Sequence, residues 1–156
     1  MQQAFEHVYI RVDYSLYAAT CIARNQYRAA DARKAEKALH VLFEKFSSSL
    51  SLTVSELQNL IESQVPEENR KLVYDHTRTF TVPVRTSYSL RFLNLTQMLD
   101  TLVAWTDTLA INGVMTPENS DRSVKSWIHL YRAFCKGIHK IRLESSPATT
   151  SKKKSA

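Results

Sequence analysis

Two glycines, Gly113 and Gly137, and four prolines are all that punctuate 156 residues. A sheet protein needs glycine or proline at the special backbone angles of its many tight turns, so a chain this poor in breakers is constrained toward long helices. Apolar residues make up 44% of it, and a chain of this length buries roughly two-thirds of its unfolded surface in one core. No apolar run reaches the roughly 18 residues of a membrane span, and the opening MQQAFEHVYIRVDY lacks the basic and apolar regions of a leader. A cytoplasmic protein away from the membrane is expected. Cys21 and Cys135 are too few for a disulfide framework and are expected as reduced, buried small hydrophobes.

Residues 7–13, HVYIRVD, alternate, with Val8, Ile10 and Val12 on one side and His7, Tyr9, Arg11 and Asp13 on the other, which predicts a half-buried strand. From Ser15 to about Phe46 the pattern is helical, with Leu39, Leu42, Phe43 and Phe46 sharing a face. SSSLSL at 47–52 predicts a loop, and Thr53 with Glu56 a capping box that opens a short helix ending near Ser63. Pro66, Glu67 and Glu68 mark a second short helix. Residues 79–85, TFTVPVR, alternate again and predict an edge strand, because Pro83 cannot donate to a ladder. The two strands could pair with each other, or each with its own copy in a homodimer, since a lone ribbon is marginal in water.

Residues 88–112 are the most apolar stretch and predict a central helix, stopped by Asn112-Gly113. Thr116-Pro117-Glu118 starts the last helix. The fold class expected is therefore mainly α, a bundle of about four to five helices with a small two-stranded β element. Residues 1–144 form one helical domain in this reading, and the tail 145–156, SSPATTSKKKSA, has nothing to bury and is expected to be disordered.

Charge is uneven. The formal total is +6, and residues 116–144 hold six cations against three acids. At 100° per residue, Arg122, Lys125, His129, Arg132, Lys136, His139 and Lys140 fall in one arc of the last helix, beside an apolar arc from Val124 to Ile141. A solvated face normally mixes signs to gain i,i+4 support; this one is read as having no acid in it after Asp121 and as lacking its usual i,i+4 acidic partners. Single-sign faces are common in basic proteins, so the row is either an ordinary solvated face or a surface for a polyanion, with phosphates meeting Lys125, Arg132, Lys136 and Lys140. The outward residues of the first strand, Tyr9 and Arg11, could reach base edges in a major groove. Arg24, Arg28, Arg33, Lys34 and Lys37 are interspersed with Asp31 and Glu36 and predict an ordinary solvated helix.

Catalytic chemistry finds no motif. The five histidines never stand i,i+4 around a carboxylate, no Cys-x-x-Cys exists, and Asp100 and Asp107 diverge along one helix without a Glu-x-x-His partner. Two glycines cannot build a phosphate loop. No enzyme activity, metal, cofactor or small-molecule substrate is expected.

Residues 82–113, VPVRTSYSLRFLNLTQMLDTLVAWTDTLAING, resemble the C-terminal half of a family encoded on integrating conjugative elements and related plasmids, to which the AcaB-type transcriptional activators belong. The resemblance implies a DNA-binding regulator or accessory factor of a mobile genetic element, similar to ribbon-helix-helix proteins in which strands of two chains pair in the major groove. Here the first strand leads into one long helix rather than the two short ones of that unit. The alternative is a helical adaptor or inhibitor that docks a protein partner and has no nucleic-acid role.

Overall fold

The computed structural model describes residues 2–26, 29–70 and 81–145. Helix α1 (Gln2–Tyr17) runs into a π-helical turn (Ala18–Ile22) and then α2 (Ala23–Gln26); α3 (Ala29–Gln64), a 3₁₀ turn (Glu67–Asn69), α4 (Ser87–Ile111) and α5 (Pro117–Glu144) follow. The mainly helical expectation holds. The β element does not: no strand occurs among the described residues.

Residues 7–13 are helical because burial there follows a period of three to four. Tyr9, Val12, Asp13 and Leu16 are buried, while Val8 and Ile10 are 37% and 44% exposed. Seven residues fit either period; the continuation through Ala19, Thr20 and Ala23 fits only the helix. Of the second predicted strand, 79 and 80 lie outside the described residues and 81–85 are irregular. This segment is held by side chains of α1 instead of a ladder. The Tyr9 hydroxyl donates to the Pro83 carbonyl at 3.3 Å, and Arg85 stands 3.2 Å from the buried Asp13 carboxylate. The tail beyond Ser145 lies outside the described residues.

The predicted loop at 47–52 and the capping box after it are also replaced, by the uninterrupted α3. Serine favours loops because its hydroxyl competes for the backbone, but Leu39, Phe43, Phe46, Leu50, Leu57 and Ile61 are all buried on one side. That buried stripe outweighs local preference. Thr53 turns its hydroxyl back to the Ser49 carbonyl at 3.2 Å instead of capping.

The chain divides into two compact units. The first comprises Met1–Lys45, Phe80–Phe92 and Ala133–Ala156. Its centre is aromatic: Phe43 meets Phe134 edge-on at 5.0 Å and Tyr88 at 5.1 Å, Phe92 stacks on Phe134 at 6.1 Å, and Tyr9 reaches Phe92 at 5.6 Å. Arg91 lies 5.4 Å over the Phe43 ring while its guanidinium donates to Glu44 at 2.6 Å. Burial raises the Tyr88 hydroxyl pKa; Arg91 opposes that rise, and Glu36 and Glu44 add to it.

The second unit comprises Phe46–Thr79 and Leu93–Arg132. Phe46 packs on Trp127 and Tyr131, and the Tyr131 hydroxyl shares a 3.0 Å hydrogen bond with Thr96. Buried Thr106 satisfies its hydroxyl on the Leu102 carbonyl at 2.7 Å. At the end of α4, Gly113 takes φ +72°. Its N–H bonds the Ala110 carbonyl and the Val114 N–H bonds Leu109, the Schellman arrangement that only glycine adopts without strain. The Thr116 hydroxyl then accepts from the Asn119 N–H at 3.3 Å and caps α5.

Candidate nucleic-acid interface

The division of α5 into two faces follows from its sequence. Trp127, Tyr131, Phe134 and Ile138 are buried at three- and four-residue steps, which turns Arg122, Lys125, His129, Arg132, Lys136, His139 and Lys140 to solvent, and all seven are exposed.

Those cations are not equivalent. In the second unit, Lys125 is ion-paired to Asp121 one turn earlier, whereas Arg132 forms no ion pair among the described residues. In the first unit, Lys140 stands 3.8 Å from Glu144, so the arc ends on an acid after all, and Lys136 forms no ion pair among the described residues. Each unit's part of α5 thus presents one lysine paired to a carboxylate and one cation without an ion pair among the described residues.

The first-strand candidates separate. Tyr9 is fully buried, its hydroxyl on Pro83 and its ring on Phe92. Burial, with the nearby Asp13 charge second, raises its pKa. Tyr9 is a core residue, so it cannot reach a base edge. Arg11 is exposed on α1, on a helix rather than a ribbon.

Cations that sequence reasoning assigned to a solvated helix enter a shared feature of the first unit. An open groove of about 570 Å³ runs between α3 and α5, rimmed by Lys34, Lys37, Lys45 and Lys140, with Glu144 at one end. Its floor is Ala38, Val41, Leu42 and Ile141. Gly137 sets the depth, since a Cβ there would stand 3.0 Å from Leu42 Cδ2. The signal available in the sequence was Val41, an apolar residue one turn from both Lys37 and Lys45, which is 58% exposed. Nothing in the sequence placed it beside Lys140.

No metal-ligating group of three or more His, Cys, Asp or Glu gathers among the described residues. Cys21 and Cys135 form no disulfide among the described residues and are partly exposed, rather than buried as expected. Among the described residues no helix is long and apolar enough to cross a membrane. Comparison with known proteins found no family model, no curated protein and no solved structure that matches the chain.

Proposed function

We propose that this protein binds duplex DNA through the outward face of α5, as a regulator or accessory factor of a mobile genetic element. The observation that carries the DNA reading is that each unit's part of α5 presents an exposed cation, Arg132 in the second and Lys136 in the first, with no carboxylate partner among the described residues. Phosphates meet these two cations. Lys125 and Lys140 add charge by exchanging Asp121 and Glu144 for phosphate, which costs little because exposed ion pairs are worth only about 0–1 kcal/mol. Contact of this kind positions a duplex without reading its bases. The mobile-element setting rests on the resemblance of residues 82–113.

The test is duplex binding by gel shift across a salt series. Binding should weaken steeply with salt, and Arg132→Ala with Lys136→Ala should flatten the log–log slope by about 2, at roughly 0.9 per phosphate contact. An unchanged slope would remove α5 from the interface, and no complex at low salt would sink the DNA reading. A second reading, a helical adaptor, is favoured by the apolar floor of the α3–α5 groove, which phosphate contact does not require.

A further inference from the structure

The groove is built for something that is acidic and apolar at once. Four lysines line it against one glutamate, so a neutral or basic occupant would leave the rim repelling itself. Its floor nevertheless exposes Val41 at 58%, an apolar surface that a phosphate backbone would leave uncovered. An amphipathic helix with acids beside its apolar row meets both requirements, in the helix-in-groove mode.

This chain carries such a helix. From Phe46 to its end at Gln64, α3 contains Glu56 and Glu62 and no Lys, Arg or His, and the 3₁₀ turn that follows adds Glu67 and Glu68. Within that span, Leu52 is 63% exposed and Leu60 36% exposed. With Glu56 midway, the three stand at i, i+4 and i+8 on α3, successive turns of one side of the helix. The strip is already helical in the free chain, so docking it costs little ordering entropy.

We infer that the protein self-associates, the Leu52–Glu56–Leu60 strip of a second copy lying in the α3–α5 groove with its leucines on Val41 and Glu56 among the rim lysines. The contact joins two different patches, and every copy carries both. It replaces the strand-to-strand dimer that the sequence led one to expect. The groove shares Lys140 with the DNA proposal, but Arg132 and Lys136, which carry that proposal, do not line it.

Sedimentation velocity of the full chain without nucleic acid, over a concentration series at low and moderate salt, tests it. Association should appear at low salt and weaken as salt rises. Lys37→Glu and Glu56→Lys should each weaken association at least tenfold, and the double variant should restore it, since the reversed charges again face each other. Val41→Arg should also weaken it, with circular dichroism confirming an unchanged helix content. A monomer at every concentration and salt would overturn the inference, as would a double variant no better than the singles. Loss of DNA binding in the Arg132 and Lys136 variants would leave this result unmoved.

Discussion

Helices α1 and α5 present the same kind of sequence, apolar residues interleaved with polar ones, yet they dispose of their polar groups in opposite ways. In α5 the buried side carries only neutral polar groups, the Ser120 and Tyr131 hydroxyls and the Trp127 indole N–H, and every cation of the arc faces water. In α1 the buried side includes a carboxylate and a phenol, Asp13 and Tyr9, while Ile10 and Tyr14 are 44% and 48% exposed. The lesson is that hydropathy identifies the inner face only when polar side chains have no partner inside. Here the irregular segment 81–85 brings them one, Arg85 as an ion pair for Asp13 and the Pro83 carbonyl as acceptor for Tyr9.

The largest effect should come from the apolar side of α5. Phe134→Ala removes a ring that touches both Phe43 and Phe92 and should cost about 3–5 kcal/mol in urea unfolding. Arg85→Ala should cost nearly as much from a position outside any helix, because it leaves Asp13 buried without its counter-charge. Since Arg85 is 42% exposed, about 2–3 kcal/mol is expected, below the roughly 3–5 kcal/mol of breaking a fully buried pair. Replacing both partners, Asp13→Leu with Arg85→Met, should cost less than Arg85→Ala alone. Equality of the two would mean that the carboxylate finds another partner.

A direct break of the helix assignment in α1 comes from Val12 and Ile10. A half-buried strand would make Val12→Ala and Ile10→Ala equally harmful. The helix predicts about 2 kcal/mol for Val12, which is 5% exposed, and near neutrality for Ile10. Tyr9→Phe is smaller still, about 1 kcal/mol for one hydrogen bond at neutral pH, but it has a signature in alkali. A tyrosine whose folded pKa is raised binds its proton more tightly in the folded state, so stability is intact below pH 10.0 and falls as pH rises from there through the folded value. The variant should lose part of that fall; Tyr88, shifted the same way, keeps the rest. Last, Lys136→Ala should change stability by less than about 0.5 kcal/mol, while still lowering the salt slope of DNA binding.

The parts of the fold that were legible in the sequence are those in which many turns agree and the ends carry their own chemistry. Helix α5 has Thr116 and Pro117 at its start and eight apolar residues in register after it, and α4 has its glycine stop. The continuity of α3 was not legible, because serines at 47–49 and 51 argue for a loop and only the burial of Leu50 decides against it. The groove was less legible again. Lys34, Lys37 and Val41 lie about 100 residues from Lys140 along the chain, and no local pattern connects them. Individual exposure on α5 was readable from its period, but the carboxylate that closes the arc, Glu144, matters only through where its side chain goes.

The π-helical turn at Ala18–Ile22 is in effect one residue inserted into a helix and kept as a wide turn. Its buried members, Ala19 and Thr20, stay inside because the Thr20 hydroxyl bonds the Leu16 carbonyl at 2.8 Å. Deleting a single residue there would not simply shorten the rod. It would turn everything before it by about 100° about the helix axis, swinging Asp13 away from Arg85 and Tyr9 away from Pro83. The extra residue acts as a phase setter, fixing which side of the first helix becomes its inside.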